Sequence, residues 1–209
     1  VPDSTGPLVV AWLVPHRVAG PPSRVDVLGY TNPNPRTIDK EPAMIKVGDR
    51  LPEGTLNQLT VEYTQGCPTG PEAYKVSDLT KGKRIVIFAV PGAFTRTCSG
   101  KHLPGFVELA DQIKDKKVDE IWCLSVNDPM VMAAWGKDHG VGDKVRMMGD
   151  GSAKFTKALG VDQDLTERGF GIRSQRYSML VDNGVVRIFN MEKPGQFEVS
   201  SAEKMLSQL

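Results

Sequence analysis

The chain has 209 residues, 40% of them apolar and 24% charged, an ordinary globular composition with enough material for one sizeable core. A formal net charge of +1 argues against a nucleic-acid surface or a polybasic membrane anchor. Three cysteines, Cys67, Cys98 and Cys123, are too few and too odd in number for a secreted disulfide framework, and no apolar run reaches membrane-spanning length. The short apolar stretch Leu8–Val14 has no charged leader ahead of it, so a secretory signal is not expected.

Residues 1–43 hold eight of the fifteen prolines and no sustained periodicity, and read as an irregular extension. Met44-Ile45-Lys46-Val47-Gly48-Asp49 then opens the domain proper, 44–209, with Met44 as the expected natural start. The segment before it is read as a vector-derived or upstream-translated extension, with a targeting remnant as the alternative. Leu56, Gln58, Thr60, Val61 and Tyr63 suggest an edge strand, and a Gly/Pro-rich turn places Cys67 in an exposed loop. A disulfide between Cys67 and Cys98 has no spacing rule behind it, and an inert loop thiol is the expectation. Val76 to Leu79 suggests a short helical turn.

Arg84–Val90 is almost wholly apolar and rich in β-branched residues, which predicts a strand buried on both faces. Pro91-Gly92 ends it, because proline lacks an N–H and glycine permits a reversal. From Cys98 onward Leu103, Phe106, Val107, Leu109, Ala110 and Ile113 recur at helical spacing, so a cysteine enters the first turn of a helix fed by a central strand. Unpartnered N–H groups there carry partial positive charge and favour a thiolate. A buried structural cysteine is the competing reading from position alone.

Asp119–Val126 reads as a second buried strand, with Cys123 packed mid-strand. Pro129 then opens a helix capped by Asp128 or Asn127. Val145–Met148 is a third strand, followed by a helix through Phe155, Ala158 and Leu159. Asn183-Gly184 is a two-residue hairpin turn joining Tyr177–Val181 to Val185–Phe189, and a last helix covers Ala202–Leu206. Alternation of this kind predicts a layered α/β domain.

The stretch VPGAFTRTCSGKHLPGFVE, with Pro91, Thr95 and Cys98 in register, resembles the active-site signature of type-5 peroxiredoxins. The resemblance continues through WCLSVNDPMVMAAWGKDH, KVRMMGDGSAKFTKALGV, RSQRYSMLVDNGVV and MLSQL, about four-fifths of the chain. It implies a thioredoxin-like α/β fold with a central mixed sheet, and a thiol-dependent peroxidase acting on hydrogen peroxide and organic hydroperoxides. It further implies Cys98 as the nucleophile, Thr95 as a hydroxyl bonded to peroxide and sulfur, Pro91 as a wall, and Arg176 as the cation near the sulfur. Thr97, Gly92 and Phe94 are the expected substrate contacts. Relatives usually carry proline where Arg96 stands, and the effect of this departure is open.

Some relatives carry a resolving cysteine in the loop before the last helix; here Gly195–Ser201 contains none, which implies a one-Cys enzyme. Its sulfenic acid would be reduced by glutathione with glutaredoxin, or by thioredoxin. The resemblance also implies a homodimer, with Phe170 as an interface contact. No cofactor is expected. His16, His102 and His139 show no metal-ligand spacing; His102, one turn after Cys98, is expected to face solvent or cap the helix, with a place near the sulfur as the alternative. Met147, Met148 and Met179 are expected in the core. The expected compartment is the cytoplasm, with a mitochondrion or other organelle if the first segment is a targeting remnant. A non-enzymatic redox sensor or holdase is the alternative function.

Overall fold

The computed structural model describes residues 43–59 and 70–209, which fall within one compact unit, Lys40–Leu209. Cys67, His16 and the Thr60–Tyr63 end of the expected edge strand lie outside the described residues. The strands are β1 (Thr55–Gln58), β2 (Glu72–Lys75), β3 (Arg84–Val90), β4 (Glu120–Ser125), β5 (Arg146–Gly149), β6 (Asp162–Leu165), β7 (Gly171–Ser174), β8 (Tyr177–Asp182) and β9 (Val185–Met191). The α-helices are α1 (Val76–Thr80), α2 (Leu103–Glu108), α3 (Ala110–Asp115), α4 (Pro129–Asp138), α5 (Lys154–Ala158) and α6 (Ala202–Gln208).

Seven strands form one mixed sheet in the order β2-β1-β5-β4-β3-β8-β9, and β6 and β7 make a separate hairpin. β3 is parallel to β4 and antiparallel to β8, so its backbone groups are paired on both sides. Its side chains divide between the two faces. Val86, Phe88 and Val90 pack with Cys98, Leu103, Phe106 and Trp135, whereas Ile85, Ile87 and Ala89 pack with Val76, Phe155 and Leu159. A strand with apolar layers on both sides needs apolar residues at every position, which is why its sequence does not alternate. Met147, Met148 and Met179 are buried in these layers as expected. This is the thioredoxin-like arrangement that the resemblance implied. No helix among the described residues is long and apolar enough to cross a membrane.

Two expectations are refined. β1 lies inside the sheet, between β2 and β5, so the edge strand is β2. The single helix expected from Cys98 to Ile113 is divided. It starts with a wider π-helical turn over Cys98–His102, closed by Leu103 N–H donating to Cys98 O, and it bends again at Leu109 (φ −93°, ψ 8°) before α3. Pro104 follows that turn directly, and its missing N–H removes one α-helical hydrogen bond just where the register changes.

β5 is pressed against the loop that leaves β4. A Cβ on Gly149 would lie 2.8 Å from Asn127 O and 3.0 Å from Pro129 N, both backbone atoms. The same Asn127 accepts through Oδ1 from Ala93 N–H at 3.0 Å, tying this contact to the loop after β3. Gly149→Ala is expected to destabilise the protein by about 1–3 kcal/mol through enforced loop displacement, read from urea unfolding. A loss below about 0.5 kcal/mol would show that the 127–129 loop moves aside without cost.

Candidate active site

The loop after β3 leaves the carboxyl end of a central strand, where α/β sheets open a crevice. Val90 is paired with Ser125 across the β3–β4 ladder. Ser125 Oγ lies 3.2 Å from Val90 O and 2.7 Å from Asn127 Oδ1, so the ends of both strands are cross-linked by side chains. Within the loop, Thr95 Oγ donates to Gly92 O at 2.9 Å, and Ser99 N–H donates to Thr95 O at 2.9 Å. Gly92 is buried, and a Cβ there would meet Arg173 Nη1 and Thr95 Cγ2 at 3.3 Å. Phe94 is 56% exposed with φ +61°, a left-handed conformation unusual for a residue with a side chain.

Cys98 is completely buried. Arg176, the residue before β8, reaches it from across the sheet, and its Nη2–H donates to Cys98 Sγ at 3.3 Å. The other arm of the same guanidinium, Nη1, lies 2.9 Å from His102 Nδ1. Since arginine only donates, Nδ1 is the acceptor, and Nε2–H donates to Ser200 O at 3.0 Å. Burial, with the Arg176 charge beside it, pushes His102 down from 6.5 to about 3, so the ring is neutral and its tautomer fixed. His102 packs against the rings of Phe88, Phe106 and Phe197, and Phe197 also lies 5.6 Å from the guanidinium carbon of Arg176.

The loop that supplies Ser200 O is held by buried Glu192. Its Oε1 accepts from the N–H groups of Glu198, Val199 and Ser200 and from Ser200 Oγ–H at 2.7–2.9 Å. Burial opposes ionisation of Glu192, but these donors outweigh it and hold the carboxyl below its usual range. Glu192 N–H also donates to Arg176 O at 3.0 Å, closing the circuit.

Pro91, Thr97 and Arg176 line one cleft of about 330 Å³ beside the buried sulfur. Thr95 and Arg96 are exposed. Cys123 lies in β4, and burial pushes its thiol well up, which leaves it a poor nucleophile.

A family model described as Redoxin matches residues 46–206. The chain is 49% identical over 170 residues to peroxiredoxin-2E, chloroplastic, of Arabidopsis thaliana, covering 80% of this chain and 70% of that protein. The chain is a peroxiredoxin. Two solved structures agree. Reduced Prx3 of Vibrio vulnificus in complex with hydrogen peroxide is 50% identical with a TM-score of 0.73, covering 79% of this chain and 99% of its own. Peroxiredoxin 5 of Alvinella pompejana is 32% identical with a TM-score of 0.67, covering 78% and 96%. This peroxiredoxin is a thiol-dependent peroxidase, and the redox-sensor or holdase alternative is not favoured.

The sequence reading of His102 is corrected by the structure of this peroxiredoxin. The ring neither faces solvent nor caps a helix, but is buried between Arg176 and Ser200. Its position one turn after Cys98, on the same inward face as Leu103 and Phe106, was the available signal. Glu192, Phe197 and Ser200 carry no comparable signal, because their roles depend on a loop folding back over Arg176.

Neutral burial of His102 makes the enzyme acid-sensitive. Between pH 6.5 and about 3 the unfolded chain binds a proton there that the folded one does not. Stability is therefore complete above the unfolded value and falls with decreasing pH across that window, by about 1.4 kcal/mol per pH unit. His102→Gln is expected to flatten the dependence of urea-unfolding free energy on pH between 6.5 and 4 by about that slope. An unaltered slope would remove His102 as its source.

Proposed function

We propose that this peroxiredoxin is of the type-5 group and works as a one-Cys enzyme. The observation that carries the reading is the 3.3 Å approach of Arg176 Nη2 to Cys98 Sγ, between residues 78 positions apart. The Cys98 thiolate attacks one oxygen of a hydroperoxide; the S–O bond forms as the O–O bond breaks. The leaving oxygen departs with its electron pair and takes a proton, giving water or an alcohol, and sulfur is left as a sulfenic acid. Arg176 holds the sulfur and donates toward the oxygens in the transition state, while Pro91 screens the thiolate from water. Thr95 donates to Gly92 O, which leaves its lone pairs to accept a peroxide O–H. Thr97, Gly92 and Phe94 complete the substrate contacts in this reading, with backbone N–H groups at Thr97 and Cys98 as further donors.

Hydrogen peroxide and organic hydroperoxides are the proposed substrates, a reading supported by the hydrogen peroxide complex of the Vibrio vulnificus relative. The one-Cys assignment is supported by the burial of Cys123 and the lack of cysteine in Gly195–Ser201. An external thiol then attacks the sulfenic sulfur, releases water and forms a mixed disulfide, and a second thiol releases Cys98. Glutathione with glutaredoxin, or thioredoxin, would fill that role. A homodimer is supported by Phe94 and Phe170, 56% and 53% exposed, because Arg173 of the β6–β7 hairpin binds Phe170 O and borders Gly92. The catalytic domain is taken as residues 44–209. We place the enzyme in the cytoplasm, with an organelle as the alternative if residues 1–43 hold a targeting remnant; the chloroplastic Arabidopsis relative supports that alternative.

Hydrogen peroxide consumption with each reductant system tests the assignment. Turnover is expected to vanish in Cys98→Ser and to survive in Cys67→Ser and Cys123→Ser. Loss of recycling in Cys67→Ser would show an internal disulfide and overturn the one-Cys reading.

A further inference from the structure

The cleft beside Cys98 is far larger than hydrogen peroxide requires. At about 330 Å³ it lies at the small end of sites that hold organic molecules. Its walls are partly apolar, from Pro91, Leu165 and Pro194, and its charged side chains are Arg168, Arg176, Lys193 and Glu192. The Glu192 carboxylate is already engaged by the 198–200 loop. Arg176 is engaged by Cys98 and His102. That leaves Arg168, at the end of the turn after β6, and Lys193, just after β9. Among the described residues neither side chain forms an ion pair, a hydrogen bond or a ring contact.

Two exposed cations line a cleft whose third cation touches the nucleophile and whose one acid, Glu192, is turned to the 198–200 loop. The chain as a whole is nearly neutral, with a formal charge of +1, so this positive character is local to the cleft. Like charges gathered on one concave surface repel unless an anion lies between them, and they raise the local concentration of anionic ligands. We infer that Arg168 and Lys193 form a carboxylate subsite, which holds the charged end of an organic molecule whose reactive end meets Cys98. The apolar wall takes the carbon chain, Arg176 marks the reactive end, and the rim takes the carboxylate by charge-assisted hydrogen bonds. The inference rests on the peroxidase reading of Cys98. The same carboxylate chemistry belongs to a hydroperoxy-acid substrate and to glutathione as reductant.

The test compares each charged probe with its ester. In one arm, kcat/KM is measured for a short tertiary hydroperoxy-alkanoate and for its methyl ester. In the other, Cys98 sulfenic acid is formed with hydrogen peroxide and reduced with glutathione or glutathione diethyl ester. An acid-over-ester preference of about tenfold at low salt, shrinking as salt is added, is expected in at least one arm. It should be abolished in the doubly substituted Arg168→Gln, Lys193→Gln protein and retained when the charges are kept by Arg168→Lys with Lys193→Arg. Preference in the first arm assigns the subsite to the oxidant, and in the second to the reductant. Equal acid and ester rates in both arms, or a preference that survives loss of both charges, overturns the subsite. Failure of the unsubstituted protein to consume hydrogen peroxide would instead overturn the peroxidase reading.

Discussion

One guanidinium holds the site together. Arg176 arrives from just before β8, the neighbour of the strand that feeds the nucleophile, and has two buried partners, the Cys98 sulfur and the His102 ring. A partly buried cation is held in one place when its donors are matched, and here the acceptors sit one turn apart on the same helical segment. The position of that segment therefore matters more than its helix propensity. If the Cys98 turn rotated, the arginine would lose both acceptors together.

Several less conspicuous features keep the turn in place. Phe88, from the central strand, stacks on Phe106 and contacts His102, so the sheet itself sets the depth of the ring. Trp135 Nε1–H donates to Ser99 Oγ at 2.9 Å, which fastens the same turn to α4. Asn127 fastens the preceding loop through Ala93 N–H. The site is thus braced from three elements, and its accuracy comes from the fixed sheet rather than from the loop.

Local chemistry was legible where it was local. The apolar run of β3, the Asp128 cap on α4 through Val131 N–H, and the Asn183-Gly184 turn with φ of +48° and +76° all follow from their own residues. The β6–β7 hairpin was not legible, because Asp162-Gln163-Asp164-Leu165 has neither alternation nor β-branched residues. The π-helical turn was hidden too, since the apolar spacing after it resembles that of an ordinary helix. Arg176 came only with the family resemblance: a charge before a strand says nothing about what it will meet across a sheet. Glu192, Ser200 and Phe197 were silent because their contacts are made by a fold-back of the chain.

The donors between the sulfur and the 198–200 loop all run one way. Arg176 donates to His102, His102 to Ser200 O, and Ser200 N–H to Glu192. Their N–H groups point away from the sulfur, so the positive ends face the Glu192 carboxylate and the negative ends face the Arg176 guanidinium, a full positive charge at one end and a full negative charge at the other. Ser200 joins the two halves by position, since its C=O and N–H belong to successive peptide units. The placement of the cation at the sulfur is therefore open to adjustment by substitutions in the 198–200 loop, which does not line the cleft, and related sequences can diverge in rate while keeping every atom that touches peroxide.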